Sequence, residues 1–146
     1  MRHLLLLLAA LPLFAIPSQK EALYAAKREA QSAHVAAQRA KDQAQFIAAA
    51  NGLQEVGRKI IAANQTAMAA IRPGYYPPDV KSPTARQTWD KKMADIRRDL
   101  SGANESLGRF FLPTELSPET VRAVDRYVRE LDLAIEAHHA ACLNIR

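Results

Sequence analysis

The chain has a single cysteine, Cys142. No internal disulfide is possible, and stability has to come from packing. In an oxidising compartment that thiol is either a small buried hydrophobe or available for intermolecular pairing; its position on an apolar helix stripe favours burial. Aromatic residues make up only 6% of the sequence, so any core is built mainly from aliphatic side chains and alanine. Neither sign of charge dominates. The formal charge is +5, with seven basic and four acidic residues over 18–71 and near balance beyond. That mild excess reads as a solvated face and gives no reason to expect a nucleic-acid partner. No apolar run is long enough to cross a membrane. The longest uncharged one, Leu4–Ile16, makes about 20 Å of helix against a hydrocarbon core of about 30 Å.

Enzyme signatures are missing too. There is no Gly-x-Ser-x-Gly, no phosphate-binding glycine loop, no His-Glu-x-x-His and no set of two Glu-x-x-His motifs of the kind di-iron bundles use. Carboxylates on the C-terminal half alternate with arginines, as exposed ion pairs do. The expectation is a protein that is not an enzyme, with no cofactor called for by any motif.

Hydrophobic content of 49% excludes a disordered chain, and 146 residues allow one domain with a real core. Arg2 and His3, the short apolar run and the small polar residues after it fit a secretory signal peptide over 1–17, cleaved near Ala15 or Ser18. A retained membrane anchor is the alternative. The expected location is therefore periplasmic or secreted, with membrane proximity if the segment stays.

The remaining 18–146 reads as one helical domain. Between Ser18 and Ile71, apolar residues recur in alternating steps of three and four, the spacing of a stripe that faces another helix. The first seam is Leu23, Ala26, Ala30, Ala33, Ala37, Ala40, Ala44 and Ile47. The second, two residues out of phase, is Phe46, Ala49, Leu53, Val56, Ile60, Ala63, Ala67 and Ala70. Alanine favours helix but buries little area. The 18–44 stretch is thus an alanine-rich arm and 45–146 a bundle. Asn51-Gly52 is the one candidate break, because Asn-Gly can end a helix. The second seam nevertheless passes through it without a missed step, which favours a continuous helix. Continuity gives three long helices in an up-down bundle with a protruding arm; a break gives a four-helix bundle.

Pro73-Gly74 closes this stretch, and a proline-rich linker follows over 72–82. Tyr75 and Tyr76 in that linker are a candidate recognition surface. Ser82-Pro83 and Ser117-Pro118-Glu119 are helix starts, with a capping side chain and proline in the first turn. The third helix carries Trp89, Met93, Ile96, Leu100, Ala103, Leu107 and Phe110. The last carries Val121, Val124, Val128, Leu131, Ile135, His138 and Cys142.

His138 and Cys142 are four apart, and His139 and Cys142 three apart. Either pair can place two ligands on one metal, copper by their softness. Their seam positions by themselves, however, call for a core histidine and a buried thiol. An exported helical chain with a Pro-rich loop, a Ser-Pro helix start and a histidine near the C-terminus resembles, in architecture, the periplasmic four-helix b-type cytochromes. That resemblance implies a haem iron held between a first-helix methionine and a C-terminal-helix histidine. His138 is the one position that carries over, since no methionine lies between Met1 and Met68.

Two functions follow as expectations. The first is a non-catalytic interaction or structural protein of the cell envelope. It associates, with a second copy or a protein partner, through the arm seam Ala26, Ala30, Ala33, Ala37 and Ala40. The alternative is a small periplasmic metal- or haem-binding bundle using His138.

Overall fold

The computed structural model describes residues 20–145. The signal segment expected over 1–17 lies outside the described residues. Among the described residues there are four helices: α1 (Lys20–Arg39), α2 (Gln43–Ala69), α3 (Pro83–Gly108) and α4 (Pro118–Asn144). The described residues form an all-α bundle of these four helices. None of those described is long and apolar enough to cross a membrane.

Of the two expected arrangements, the four-helix bundle is the one found, and the expected continuity of the first stretch is not. The chain turns at Ala40–Asp42, ahead of Asn51-Gly52, and the arm folds back instead of protruding. Asp42 causes the new start: its Oδ1 accepts from the Gln45 backbone N–H at 2.9 Å, and Gln45 Oε1 accepts from Lys41 N at 2.9 Å. One of the free N–H groups of the helix start is satisfied in this way, and the Lys41 N–H just ahead of it takes the Gln45 side chain. Asn51 and Gly52 sit inside α2. A Cβ built on Gly52 would stand 3.6 Å from the Ala33 Cβ, so this glycine lies at the crossing of α1 and α2.

Contacts fix the directions. Glu29–Lys59 (3.0 Å) and the Ala33–Gly52 approach make α1 and α2 antiparallel. Arg97–Ile71 and Asn104–Asn64 make α2 and α3 antiparallel. Gly57–Tyr127 and Asn64–His138 make α4 parallel to α2. The helices α1 and α3 each pack on α2 and α4, which also meet each other across the diagonal. Among the described residues α1 and α3 do not touch. The core divides accordingly. One cluster joins Ala26, Ala30 and Ala37 of α1 to Phe46, Leu53, Val56 and Ile60 of α2 and to Val124, Tyr127 and Leu131 of α4. The other joins Ala67, Ile71, Trp89, Met93, Ile96, Leu100, Ala141 and Ile145.

A longitudinal offset of α3 separates the two. Arg97 reaches the carbonyls of Met68 and Ile71 (3.2 and 3.0 Å), and so caps the end of α2. Trp89 lies two turns earlier on α3, about 12 Å beyond the end of α2. The 70–82 loop therefore has to cover it, and Trp89 and Met93 are both buried.

Candidate functional site

The arm seam is spent inside the chain. Ala26, Ala30 and Ala37 are buried, and Ala33 and Ala40 half-buried, against α2 and α4. Small side chains allow the close approach, and two polar links hold it: Glu29 to Lys59, and His34 Nε2 to Asp125 Oδ1 of α4 at 2.7 Å. The opposite side of the α1–α2 seam is open. Two clefts, of about 530 and 790 Å³, follow one another along it. Ala22, Ala25, Ala62 and Ala63 line the first; Ala33, Ala36, Ala48 and Gly52 line the second. Glu29 and Lys59 stand where they meet. Alanine at these exposed and half-buried positions leaves a shallow apolar trough where longer side chains would have filled it.

The histidine end is organised differently from the expectation. His138 is fully buried, at 0% exposure, and so is Asn64. A hydrogen-bond chain crosses three helices. His138 Nδ1 is 3.0 Å from Asn64 Oδ1, Asn64 Nδ2 donates to Asn104 Oδ1 at 3.1 Å, and Asn104 Nδ2 donates to the Ile61 carbonyl at 3.2 Å. That last carbonyl can only accept. Its acceptance orients Asn104, which orients Asn64, which requires His138 Nδ1 to carry the proton. Nε2 is left as a bare acceptor, buried without a partner. Burial pushes the His138 pKa below its usual value, and the neighbouring His139 adds to this.

His139 is exposed, and Cys142 is half-buried at the edge of the second cluster. Burial pushes the Cys142 thiol pKa up, which favours its protonated form. Among the described residues no three histidine, cysteine, aspartate or glutamate side chains come close enough to hold a metal ion. The expected trio thus occupies three different environments. Asn64 and Asn104, the partners that set the state of His138, were not among the expected residues. Their sequence signal was polar residues beside Ala63 and Ala103, positions that a strict three-four count assigns to the seam.

Tyr75 and Tyr76 are both half-buried on the 70–82 loop. Tyr76 donates its hydroxyl to Asp90 Oδ2 at 2.9 Å, and the Arg86 guanidinium stands 4.9 Å from its ring centre. The Asp90 carboxylate that accepts the proton raises the phenol pKa, with burial adding to it. Between this loop and α3 lies a cavity of about 360 Å³.

Comparison of the chain with protein-family models, with curated proteins and with solved structures gives no significant match.

Proposed function

We propose that this is an exported, non-catalytic interaction protein of the cell envelope, and that it associates through the outer side of its arm. The supporting observation is the trough along α1–α2, where small residues leave backbone-level apolar surface exposed over two successive clefts. Small residues let a further helix approach closely. The occupant that fits best is α1 of a second copy, packed antiparallel. Glu21 stands in the first turn of α1 and Arg39 in its last, so an antiparallel pair sets each glutamate against the other copy's arginine.

Sedimentation equilibrium of the wild type and of Ala36→Arg/Ala48→Arg tests this. Both changed positions are exposed, so the helical content of the variant should match the wild type. The expected result is a dimeric wild type and a monomeric variant. A wild type that stays monomeric at every concentration overturns the self-association reading. A different partner protein bound on the same trough, and lost in the variant, would keep the interaction role while replacing the partner.

The second reading, a small metal- or haem-binding bundle, has one observation on its side: the bare His138 Nε2. Protein that takes up neither copper nor haem, by absorption and metal analysis, would remove it.

A further inference from the structure

The cavity between the 70–82 loop and α3 has the chemistry of a ligand site. Its shape follows from the offset of α3, because the chain leaving α2 must bridge over a helix that runs on past it. Pro73-Gly74 makes the bridge, with Gly74 at φ 76°, a left-handed conformation that disfavours other residues. The turn holds the loop off α3 and leaves about 360 Å³ between them, room for a ligand the size of one amino-acid side chain with its backbone. Trp89, Met93 and the Tyr76 ring supply apolar surface. Arg72, Arg97 and Asp90 supply charge.

These polar groups are not equivalent. One carboxylate oxygen of Asp90 is engaged by the Tyr76 hydroxyl. Arg97 is fixed in place by two carbonyls that both take the same terminal nitrogen, so donors remain on its other nitrogens. Arg72 is exposed and has no carboxylate partner among the described residues. Two guanidiniums against one engaged carboxylate, over an aromatic floor, select an anion on an apolar body. We infer that this cavity binds a carboxylate carried on an aromatic or aliphatic group, the acid held by Arg72 and Arg97 and the apolar part seated on Trp89 and Met93. A free organic acid and the C-terminal residue of a peptide share that chemistry.

Trp89 is the only tryptophan in the chain, so its fluorescence reports on this cavity alone. The purified protein is titrated with 3-phenylpropionate, N-acetylphenylalanine, N-acetylphenylalaninamide and phenethylamine. Saturable changes with the two acids, and none with the amide or the amine, are expected. Arg72→Gln should weaken acid binding about tenfold, the size of one lost charge-assisted hydrogen bond, while Arg72→Lys retains part of it. Equal binding of the two acids assigns a free organic acid; tighter binding of N-acetylphenylalanine assigns a peptide end. No response to either acid, equal binding of the amide, preference for the amine, or unchanged binding by Arg72→Gln would each overturn the inference.

Discussion

Gly57 of α2 and Tyr127 of α4 meet so closely that a Cβ on the glycine would fall 1.8 Å from the tyrosine hydroxyl oxygen. The tyrosine has little freedom to move away, because its ring stacks on Phe110 at 3.9 Å and is almost fully buried. Burial also pushes its phenol pKa up to about 12. This contact sets the diagonal spacing of the bundle. Gly57→Ala should lower stability by about 1–3 kcal/mol, an overpacking cost that exceeds the gain in helix propensity. Tyr127→Phe in the same chain removes the oxygen and leaves the ring carbon at 3.1 Å, so the double variant should recover part of the loss. Denaturant midpoints of the four proteins of this cycle measure it, and strict additivity would contradict the contact.

Gly52 gives the opposite result. It is exposed within α2, with an ordinary 3.6 Å clearance to Ala33. Gly52→Ala should therefore raise stability by about 0.5–1 kcal/mol through helix propensity alone. Loss of stability on this change would place a helix break at Asn51-Gly52 after all.

Asp42 is where the helix starts. Asp42→Ala removes the acceptor for Gln45 N and should cost about 1 kcal/mol. The turn is further tied to the α3–α4 loop by Gln43 Nε2 donating to the Thr114 carbonyl at 2.6 Å. Thermal melts of Asp42→Ala and Asn51→Ala separate the two sites. The first should fall below the wild type and the second stay close to it; the reverse order would contradict the turn.

His138 makes stability depend on pH in a defined direction. Its folded pKa lies below the usual 6.5, so between 6.5 and the folded value the unfolded chain binds a proton that the folded chain refuses. Stability therefore falls as pH drops through that window, by up to about 1.4 kcal/mol per unit, and this contribution is complete only above 6.5. His138→Gln keeps a donor for Asn64 and cannot titrate. Its stability should be less sensitive to pH between 5 and 7 than that of the wild type. Parallel pH profiles would show that His138 is not the group responsible.

Much of the helical layout could be read from the residues. Ser82 and Ser117 cap as expected, accepting from Ala85 N and Thr120 N at 3.1 and 3.2 Å. The apolar seams on α3 and α4 locate Trp89, Leu100, Leu131 and His138 in the core. The turn at Ala40–Asp42 was also written in the sequence. Asp42 stands three residues before Gln45, the spacing of a capped helix start, and the two seams slip phase at that point. The continuity of Leu53 and Val56 drew attention to Asn51-Gly52 instead.

The polar network was hidden for a geometric reason. Heptad counting assumes 3.5 residues per turn, whereas a straight helix keeps about 3.6, so the buried stripe drifts along a long segment. By the end of α2 it has moved from the counted Ala63 and Ala70 to Asn64 and Ile71. The loop cavity was half legible. Tyr75 and Tyr76 were candidates by composition, but Arg72, Asp90 and Arg97 join Tyr76 there only because α3 is offset.

Helix α1 satisfies its alanine seam within its own chain, which leaves the outer side for association. Amide hydrogen exchange across a dilution series tests this most directly. The amides from Ala26 to Ala37 should stay protected when the protein is diluted to monomer. The concentration dependence should show instead in trough residues outside that segment, Ala48 and Ala62 among them. An arm that exchanges freely in the dilute monomer and is protected only at high concentration would contradict the fold-back, and with it the division of α1 into an inner and an outer face.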